Sequence, residues 1–436
     1  MMKKKTVFFF LALAGWLVYG EIPLKEAIEQ GIAMNAACRD QAWEVRSLEN
    51  EQKIAALKKW FNLGLSASYL YKSEQMEIVI PPVSIGPGAV MPGSRLKAGA
   101  KDNYDLKLQV SQPLFFGNIL SNTDRLQAVK TAGQREILLL AKIQAAAGIK
   151  RSYFQYRLYE GQMDSLQALK KRLDLHLQKL RAYFKEELIT KSDLLETEAR
   201  LKEQELNLEE LGDQMARERI HFRSLCGLDI ADIEKHYTAE TIGLAEALAY
   251  FKAHHPLLHS LDQQLEALRL QEKIVNGGYL PHLAGFAEVH YGKPGIDFFA
   301  NEWSAYFQGG ISLDWKLFNW NKRKYETEIV RFAAEKVKNG QQDFIKENEK
   351  LLSQLYETRE TYKRKLAVVK DLVDIAGQDI ALKAKLLEEQ QLANIDYLGA
   401  LTQGERYTSM QNTILMQLEL LQVNIDQIIG RFAEDR

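Results

Sequence analysis

Apolar and polar positions follow two different periods along this chain. Over long stretches apolar residues recur every three or four positions, as in Leu194, Leu195, Ala199, Leu201, Leu206 and Leu208, which is the period of a helix with a packing face. The stretches from Phe116 to about Glu186 and from Phe318 to about Glu389 are rich in Ala, Leu, Glu, Lys, Gln and Arg and contain no proline. Each is predicted to form one very long helix, roughly 100 Å at about 1.5 Å per residue. Shorter helices are predicted after them, at Ser192–Cys226 and Asn394–Ile429, and before the strand regions, at Leu24–Lys59 and Leu244–Val275. Taken alone, these helices suit an ordinary coiled coil equally well.

Elsewhere the period drops to two. Tyr104, Leu106, Leu108 and Val110 alternate with Asp105, Lys107, Gln109 and Ser111, and the run from Trp303 to Lys316 repeats the pattern. Weaker partners lie at Leu65–Tyr71 and Leu283–Tyr291, each joined to its stronger strand by a loop rich in Gly and Pro. The expectation is two hairpins, four strands in all. One apolar and one polar face describes a barrel wall, and also a half-buried soluble sheet. Tyr69, Tyr71, Tyr104, Trp303, Tyr306 and Trp315 fall near strand ends, where a membrane girdle would sit. In lipid, each unpaired backbone group at an open sheet edge would cost several kcal/mol. Four strands are too few to close a barrel, so several copies would have to share one.

The two halves of the chain repeat each other. A shift of 203 positions superposes Leu114, Phe115, Asn118, Tyr153, Glu186, Asp193 and Leu195 on Leu317, Phe318, Asn321, Tyr356, Glu389, Asp396 and Leu398. A shift of 220 superposes Leu24, Glu26, Ala27, Leu48, Lys53 and Ile54 on Leu244, Glu246, Ala247, Leu268, Lys273 and Ile274. The difference is a surplus in the first hairpin loop, around Pro81, Pro82, Pro87 and Pro92. The organisation expected is a leader at 1–20, a first repeat at 21–226 with its hairpin at about 63–113, a connection at 227–243, a second repeat at 244–430 with its hairpin at about 281–317, and a tail at 431–436.

Composition narrows the picture. Lys3, Lys4 and Lys5, the apolar run Val7 to Val18 and small Gly20 have the layout of a secretory signal peptide. Beyond it, a chain that is 46% hydrophobic and 26% charged has no uninterrupted apolar stretch of spanning length, so any membrane crossing falls to the strands. The 57 Lys and Arg against 58 Asp and Glu become, without the three leader lysines, a balance of about −4 with no basic block, which excludes nucleic acid as a partner. Cys38 and Cys226 are too few for a disulfide framework or a cysteine metal cluster; buried apolar residues or a single disulfide remain open. His254, His255 and His259 lack a companion glutamate, and Pro256 interrupts their face, so they read as helix-start residues rather than a metal site. No phosphate loop or nucleophile elbow occurs, and neither an enzyme nor a cofactor is expected.

Several short motifs occur in order, three of them twice: Leu24-Lys25-Glu26-Ala27-Ile28 with Leu244-Ala245-Glu246-Ala247-Leu248 leading to His255-Pro256; Gln112-Pro113-Leu114-Phe115 with Trp315-Lys316-Leu317-Phe318; and the reversals Leu188 to Leu195 and Leu392 to Leu398; Tyr279-Leu280-Pro281-His282-Leu283 stands once, at the entry to a strand. On these the chain resembles the TolC family of outer membrane efflux proteins over essentially its whole mature length. The resemblance implies a mainly α protein with a small β part, forming a long α-helical barrel and a transmembrane β-barrel completed by trimerisation. It further implies an outer-membrane location extending through the periplasm of a Gram-negative cell. The function implied is a passive duct in a tripartite efflux or type I secretion system, fed by an inner-membrane transporter of RND, ABC or MFS type through a periplasmic adaptor. A non-conducting periplasmic scaffold or adaptor is the alternative.

In that family the helix reversals form the periplasmic tip. Asp193 and Asp396 match acidic residues of the entrance, where a ring of carboxylates would favour cations; capping of the following helices is the other role open to them. The adaptor-contacting residues implied are Glu187, Leu188, Ile189, Thr190, Ser192, Leu194, Leu392, Asn394 and Leu398. Gly399 and Leu392 stand where some relatives carry an acidic residue and an arginine. Glu187 and Gln390 occupy positions usually given to a turn glycine, so an altered reversal is expected.

Overall fold

The computed structural model describes residues 21–235, 241–297, 299–389 and 391–431. The leader at 1–20, part of the expected connection (236–240), Gln390 and the tail beyond 431 lie outside the described residues.

Helices α1 (Leu24–Met34) and α2 (Ala36–Leu57) replace the single helix expected at 24–59. The break falls at Asn35, which is extended and whose Oδ1 accepts the Cys38 N–H at 3.1 Å, starting α2 afresh. The same correction applies to the second repeat, where α5 (Leu244–His254) and α6 (Pro256–Gly277) flank an extended His255. Proline suits a first helical position, since it has no N–H to leave unpaired, and it holds the residue before it extended. His254 and His255 therefore close α5 rather than start a helix, and His259, on α6, faces Glu136 at 3.9 Å.

The long helices are α3 (Ile119–Lys185) and α7 (Lys322–Glu388), 67 residues each, followed by α4 (Lys191–Cys226) and α8 (Asn394–Ile429), 36 residues each. The bounds of α3 and α7, and of α4 and α8, lie 203 apart, and those of α1 and α5 lie 220 apart, so the internal duplication is a duplication of fold. Each long helix starts after a left-handed turn, at Gly117 and Asn118 in one repeat and at Trp320 and Asn321 in the other. At Gly117 the chain crosses Gly277 so closely that a Cβ there would lie 2.4 Å from the Gly277 carbonyl oxygen, which requires glycine.

Two compact units are present. The first comprises residues up to Asp40, Leu138–Pro256 and those from Ile345 onward. Its main core gathers Leu24, Ile28, Ile149, Phe154, Phe222 and Ile233 from α1, α3, α4 and the connection. Tyr153 and its repeat partner Tyr356 do equivalent work: the Tyr153 hydroxyl donates to the Glu234 carbonyl at 2.8 Å and the Tyr356 hydroxyl to the Ile242 carbonyl at 3.0 Å. Arg157 and Arg359 add donors to Ile233 and Ile242, so the connection between repeats is tied at both ends. Cys38 and Cys226 are buried free thiols.

The second unit, Gln41–Ile137 with Leu257–Phe344, contains the sheet. Strands β1 (Asn62–Tyr71), β6 (Asp102–Phe116), β7 (His282–Lys293) and β8 (Ser304–Asp314) form one antiparallel sheet in the order β1-β6-β7-β8. Four strands were expected; four more lie within the surplus loop. There β2 (Met76–Ile80) pairs with β5 (Ser94–Ala98), and β3 (Val83–Gly86) with β4 (Ala89–Met91). Pro81 and Pro82 sit between β2 and β3, where they interrupt no ladder.

Candidate functional site

Both helix reversals lie in the first unit. At the end of α3 the Leu188 N–H donates to the Tyr183 carbonyl at 3.0 Å and the Glu187 N–H to that of Phe184 at 3.1 Å, with Glu187 left-handed at φ 57°. This pair of bonds is the Schellman closure normally built on glycine. The altered reversal expected from Glu187 is therefore absent: the glycine-type turn forms, and glutamate bears the cost of its Cβ, about 1 kcal/mol. In the second reversal the Gln391 N–H donates to the Leu386 carbonyl at 2.8 Å, the same bond 203 positions on.

The helices that leave the reversals start differently. Thr190 caps α4 in a capping box, its Oγ1 accepting the Asp193 N–H at 3.3 Å while the Asp193 carboxylate accepts the Thr190 N–H at 3.1 Å. The equivalent cap of α8 is Ala393, which has no side chain to give, and Asp396 is exposed. Asn394, 5% exposed, ties three helices: its Nδ2 donates to the Asp193 carbonyl at 3.2 Å and to Thr197 Oγ1 at 3.1 Å, and its Oδ1 lies 2.7 Å from His176 Nε2. With the amide oriented this way, neutral His176 donates from Nε2. Burial holds His176 below the usual imidazole range, against the Asn394 hydrogen bond and with help from the Lys179 charge. Tyr397 packs edge-on to the imidazole, with ring centroids 4.9 Å apart. A cavity of about 980 Å³ opens beside this cluster, lined by Arg172, Lys179, Leu188, Glu388 and Leu392 among others. Lys179 and Glu388 pair across it at 2.6 Å.

In the second unit the four-stranded sheet has two chemically distinct faces. Opposed pairs Leu65 with Leu108, Leu108 with Val289, and Val289 with Phe307 run straight across one face. Tyr69, Tyr104, Trp303 and Tyr291 close one end of it in a chain of ring contacts 5.1 to 5.7 Å apart. Trp315, Phe318 and Trp320 are exposed beyond the other end of β8. The opposite face is a polar network. Glu288 accepts from Lys107 at 3.3 Å and from Gln308 at 2.6 Å, and His290 bridges Glu288 and Asp105 at 3.3 and 3.0 Å. Tyr306 stacks on His290 with centroids 4.7 Å apart, so it belongs to this network and not to the aromatic girdle expected of it. The outer edges of β1 and β8 carry no partner strand among the described residues.

No protein-family model and no curated protein matches the sequence. Solved structures do match, along nearly the whole chain. The outer membrane protein VceC of Vibrio cholerae aligns with a TM-score of 0.73 at 13% identity, covering 94% of this chain and 97% of its own. CusC, described in connection with transmembrane channel formation, aligns with a TM-score of 0.74 at 10% identity, covering 98% and 96%. The open state of the outer membrane channel MtrE of Neisseria gonorrhoeae gives 0.71 at 11% identity, covering 94% and 89%. The chain has the outer-membrane channel fold.

Within the channel fold, the residues predicted for the tip divide into two groups. Glu187, Leu188, Thr190 and Ser192 are exposed, and Ile189, Leu194 and Leu392 half-buried. Leu398 and Asn394, expected to contact an adaptor, are buried inside the protomer: Leu398 packs with Leu169, Leu173 and Leu401. Both support the reversals from inside the protomer. His176 and Thr197, one histidine and one threonine within helical runs, carry no spacing signal in the sequence. Among the described residues no helix is long and apolar enough to cross a membrane, a statement that concerns helices alone.

Proposed function

We propose that this chain is one protomer of a homotrimeric channel in the outer membrane of a Gram-negative cell. The observation that carries the reading is the sheet: its strands of 10 to 15 residues suit a spanning length, one face is apolar and closed by aromatic rings, and both edges are open. In lipid those edges demand partners, and β1 and β8 run in opposite senses, so β8 of one copy can pair with β1 of the next. Three copies would give a twelve-stranded barrel with the Glu288 network lining the lumen. The 67-residue helices reach roughly 100 Å, a length suited to crossing the periplasm.

The conduit is passive, receiving cargo from an inner-membrane transporter of RND, ABC or MFS type through a periplasmic adaptor that meets the exposed residues Glu187, Leu188, Thr190 and Ser192. Asp193 and Asp396 stand at its entrance. The test is single-channel conductance of the detergent-extracted protein in planar bilayers, together with its mass by light scattering. Stable unitary currents from a trimer are expected. A protein that stays in solution without detergent and passes no current would instead be a non-conducting scaffold.

A further inference from the structure

Helices of the second unit neighbour one another in the same order as its strands. α2 meets α3 through the Arg135–Glu49 and Gln127–Glu51 hydrogen bonds at 2.8 and 3.3 Å. α3 meets α6 at Gly133, where a Cβ would lie 3.3 Å from Gln263 Cβ, and the chain crosses itself again where Gly117 meets Gly277. α6 meets α7 through the Arg331–Glu272 and Arg323–Asn276 hydrogen bonds at 2.9 and 2.7 Å. The row α2-α3-α6-α7 thus parallels the sheet order β1-β6-β7-β8, and α2 and α7 stand at its two ends.

Each end helix carries a stripe that the described residues leave uncovered. Trp43, Ser47, Asn50, Ile54 and Leu57 recur at spacings of four and three on α2, as do Tyr325, Ile329, Phe332 and Lys336 on α7, so each set lines one face. Their large apolar members are all more than half exposed, which marks both faces as interaction surfaces. Duplication indicates the partner. α7 repeats α3 at a shift of 203 and α2 repeats α6 at a shift of 220, and α3 and α6 pack together within one protomer. Ile329 is 66% exposed, whereas its equivalent Leu126, seven positions before Gly133 and so on the face of α3 that meets α6, is 8% exposed. Asn50 is likewise exposed and its equivalent Leu270 buried. The contact that α3 and α6 make inside the chain is thus open to α7 and α2 as well, but these two stand at opposite ends of the row, and a second copy is what brings them together.

We propose that α7 of one copy packs antiparallel on α2 of the next in the register of the internal α3–α6 contact, a helical seam that continues the β8–β1 pairing. Moved by the two shifts, the Gly117–Gly277 crossing sets Trp320 beside Leu57, and the Gly133–Gln263 contact sets Lys336 beside Trp43. In that register Tyr325 meets Ile54, while Ile329 and Phe332 face Asn50 and Ser47, so the bulkiest side chains of α7 enter where those of α2 are smaller. The Lys336 ammonium reaches the Trp43 ring. Glycines let α3 and α6 cross more closely than these larger residues allow, so the internal contact sets the register of the seam and not its width. Head-to-tail contacts of this kind close a ring under the same rotation that closes the strands. The inference rests on the trimeric channel proposed above and names the helix faces by which its copies join outside the sheet.

Cysteine pairing tests the seam in the full-length, detergent-extracted protein. Cys38 and Cys226 are buried, which leaves introduced thiols as the reactive ones. The Trp43→Cys, Lys336→Cys double variant treated with a short bismaleimide should give covalent trimers on a denaturing gel, and each single variant should stay a single chain. Trp43→Cys with Tyr325→Cys uses the same two stripes about 16 Å out of register, at about 1.5 Å per residue, and should stay uncrosslinked. If the first pair fails to crosslink, crosslinks within one chain or is matched by a single variant or by the second pair, while light scattering still gives a trimer, the seam is overturned and the channel reading stands. A monomeric mass would overturn both. As a second measurement, Ile54→Lys with Phe332→Lys changes only side chains exposed in the single protomer, which spares its fold. That variant should speed trimer dissociation in detergent by about tenfold or more, given the apolar area covered at each seam; an unchanged rate would overturn the seam.

Discussion

Asp193 and Asp396 occupy equivalent places 203 positions apart, yet only Asp193 is engaged locally, accepting from Thr190 N–H and Oγ1 at 3.1 and 2.6 Å. The difference arises three residues upstream, where the first repeat has a threonine and the second an alanine. Ala393→Thr should therefore build the missing capping box with Asp396 and stabilise the helical unit by about 1 kcal/mol. Denaturant unfolding followed by far-UV circular dichroism reads the effect, and an unchanged midpoint would show that the start of α8 is already satisfied some other way. Sequence alone left capping and ion selection open for both aspartates, since N3 of a helix suits either. Only the neighbouring side chain separates them.

At the scale of elements, the two reversals are held by Asn394 linking α8 to α3 and α4, with His176 as its buried partner. The other titratable groups that line the cavity beside the imidazole are Arg172, Lys179 and Tyr183 from α3 itself, Asp193 from α4, Glu388 from α7 and Tyr397 from α8, of which Tyr397 packs against the ring. The folded pKa of His176 lies below its unfolded value, so the unfolded chain takes up the proton first as pH falls. The stability contributed by neutral His176 is thus fully present above about 6.5 and is lost as pH drops below it. Hydrogen exchange at α4 and α8 residues around the reversals should speed up between pH 7 and 5, and His176→Gln should flatten that dependence; a variant with the same pH profile as the parent would place the sensitivity elsewhere.

The sheet makes a contrasting prediction from two neighbours on β6. Leu108 lies on the apolar face between Leu65 and Val289, while Gln109 faces the Glu288 side. Leu108→Arg should cost about 2–4 kcal/mol in a bilayer and sharply reduce assembled protein in the outer-membrane fraction. Gln109→Arg should assemble normally. Equal yields from the two would mean that the apolar face does not meet lipid.

At the scale of the whole molecule, duplication gives each protomer two near-equivalent reversals, so three copies would set six acidic positions around one entrance. Asp193 is engaged in its cap and Asp396 is exposed, so on the channel reading proposed above Asp396 is the carboxylate that would meet passing ions. Asp396→Asn should lower the cation preference of the channel, read as a shift in reversal potential under a salt gradient, and should leave thermal stability unchanged. A stability loss without a selectivity change would assign Asp396 a structural role instead.

The sequence by itself determined the element types, the duplication and the two faces of the sheet, because each is a matter of periodicity, and a residue's period along the chain is set before any folding. It also marked the reversals, whose residues recur 203 positions apart. What only the tertiary structure decided depends on residues remote in sequence becoming neighbours. His176 meets Asn394 across 218 positions, and Leu398 disappears into a core with Leu169 and Leu173. Neither has a periodic signature. The breaks at Asn35 and His255 and the ribbon at 76–98 lie between these cases: their local chemistry was in the sequence, but a cap or a short ladder stabilises by only about 1 kcal/mol, too little to stand out against the long helical and Pro-rich runs around it until the chain is folded.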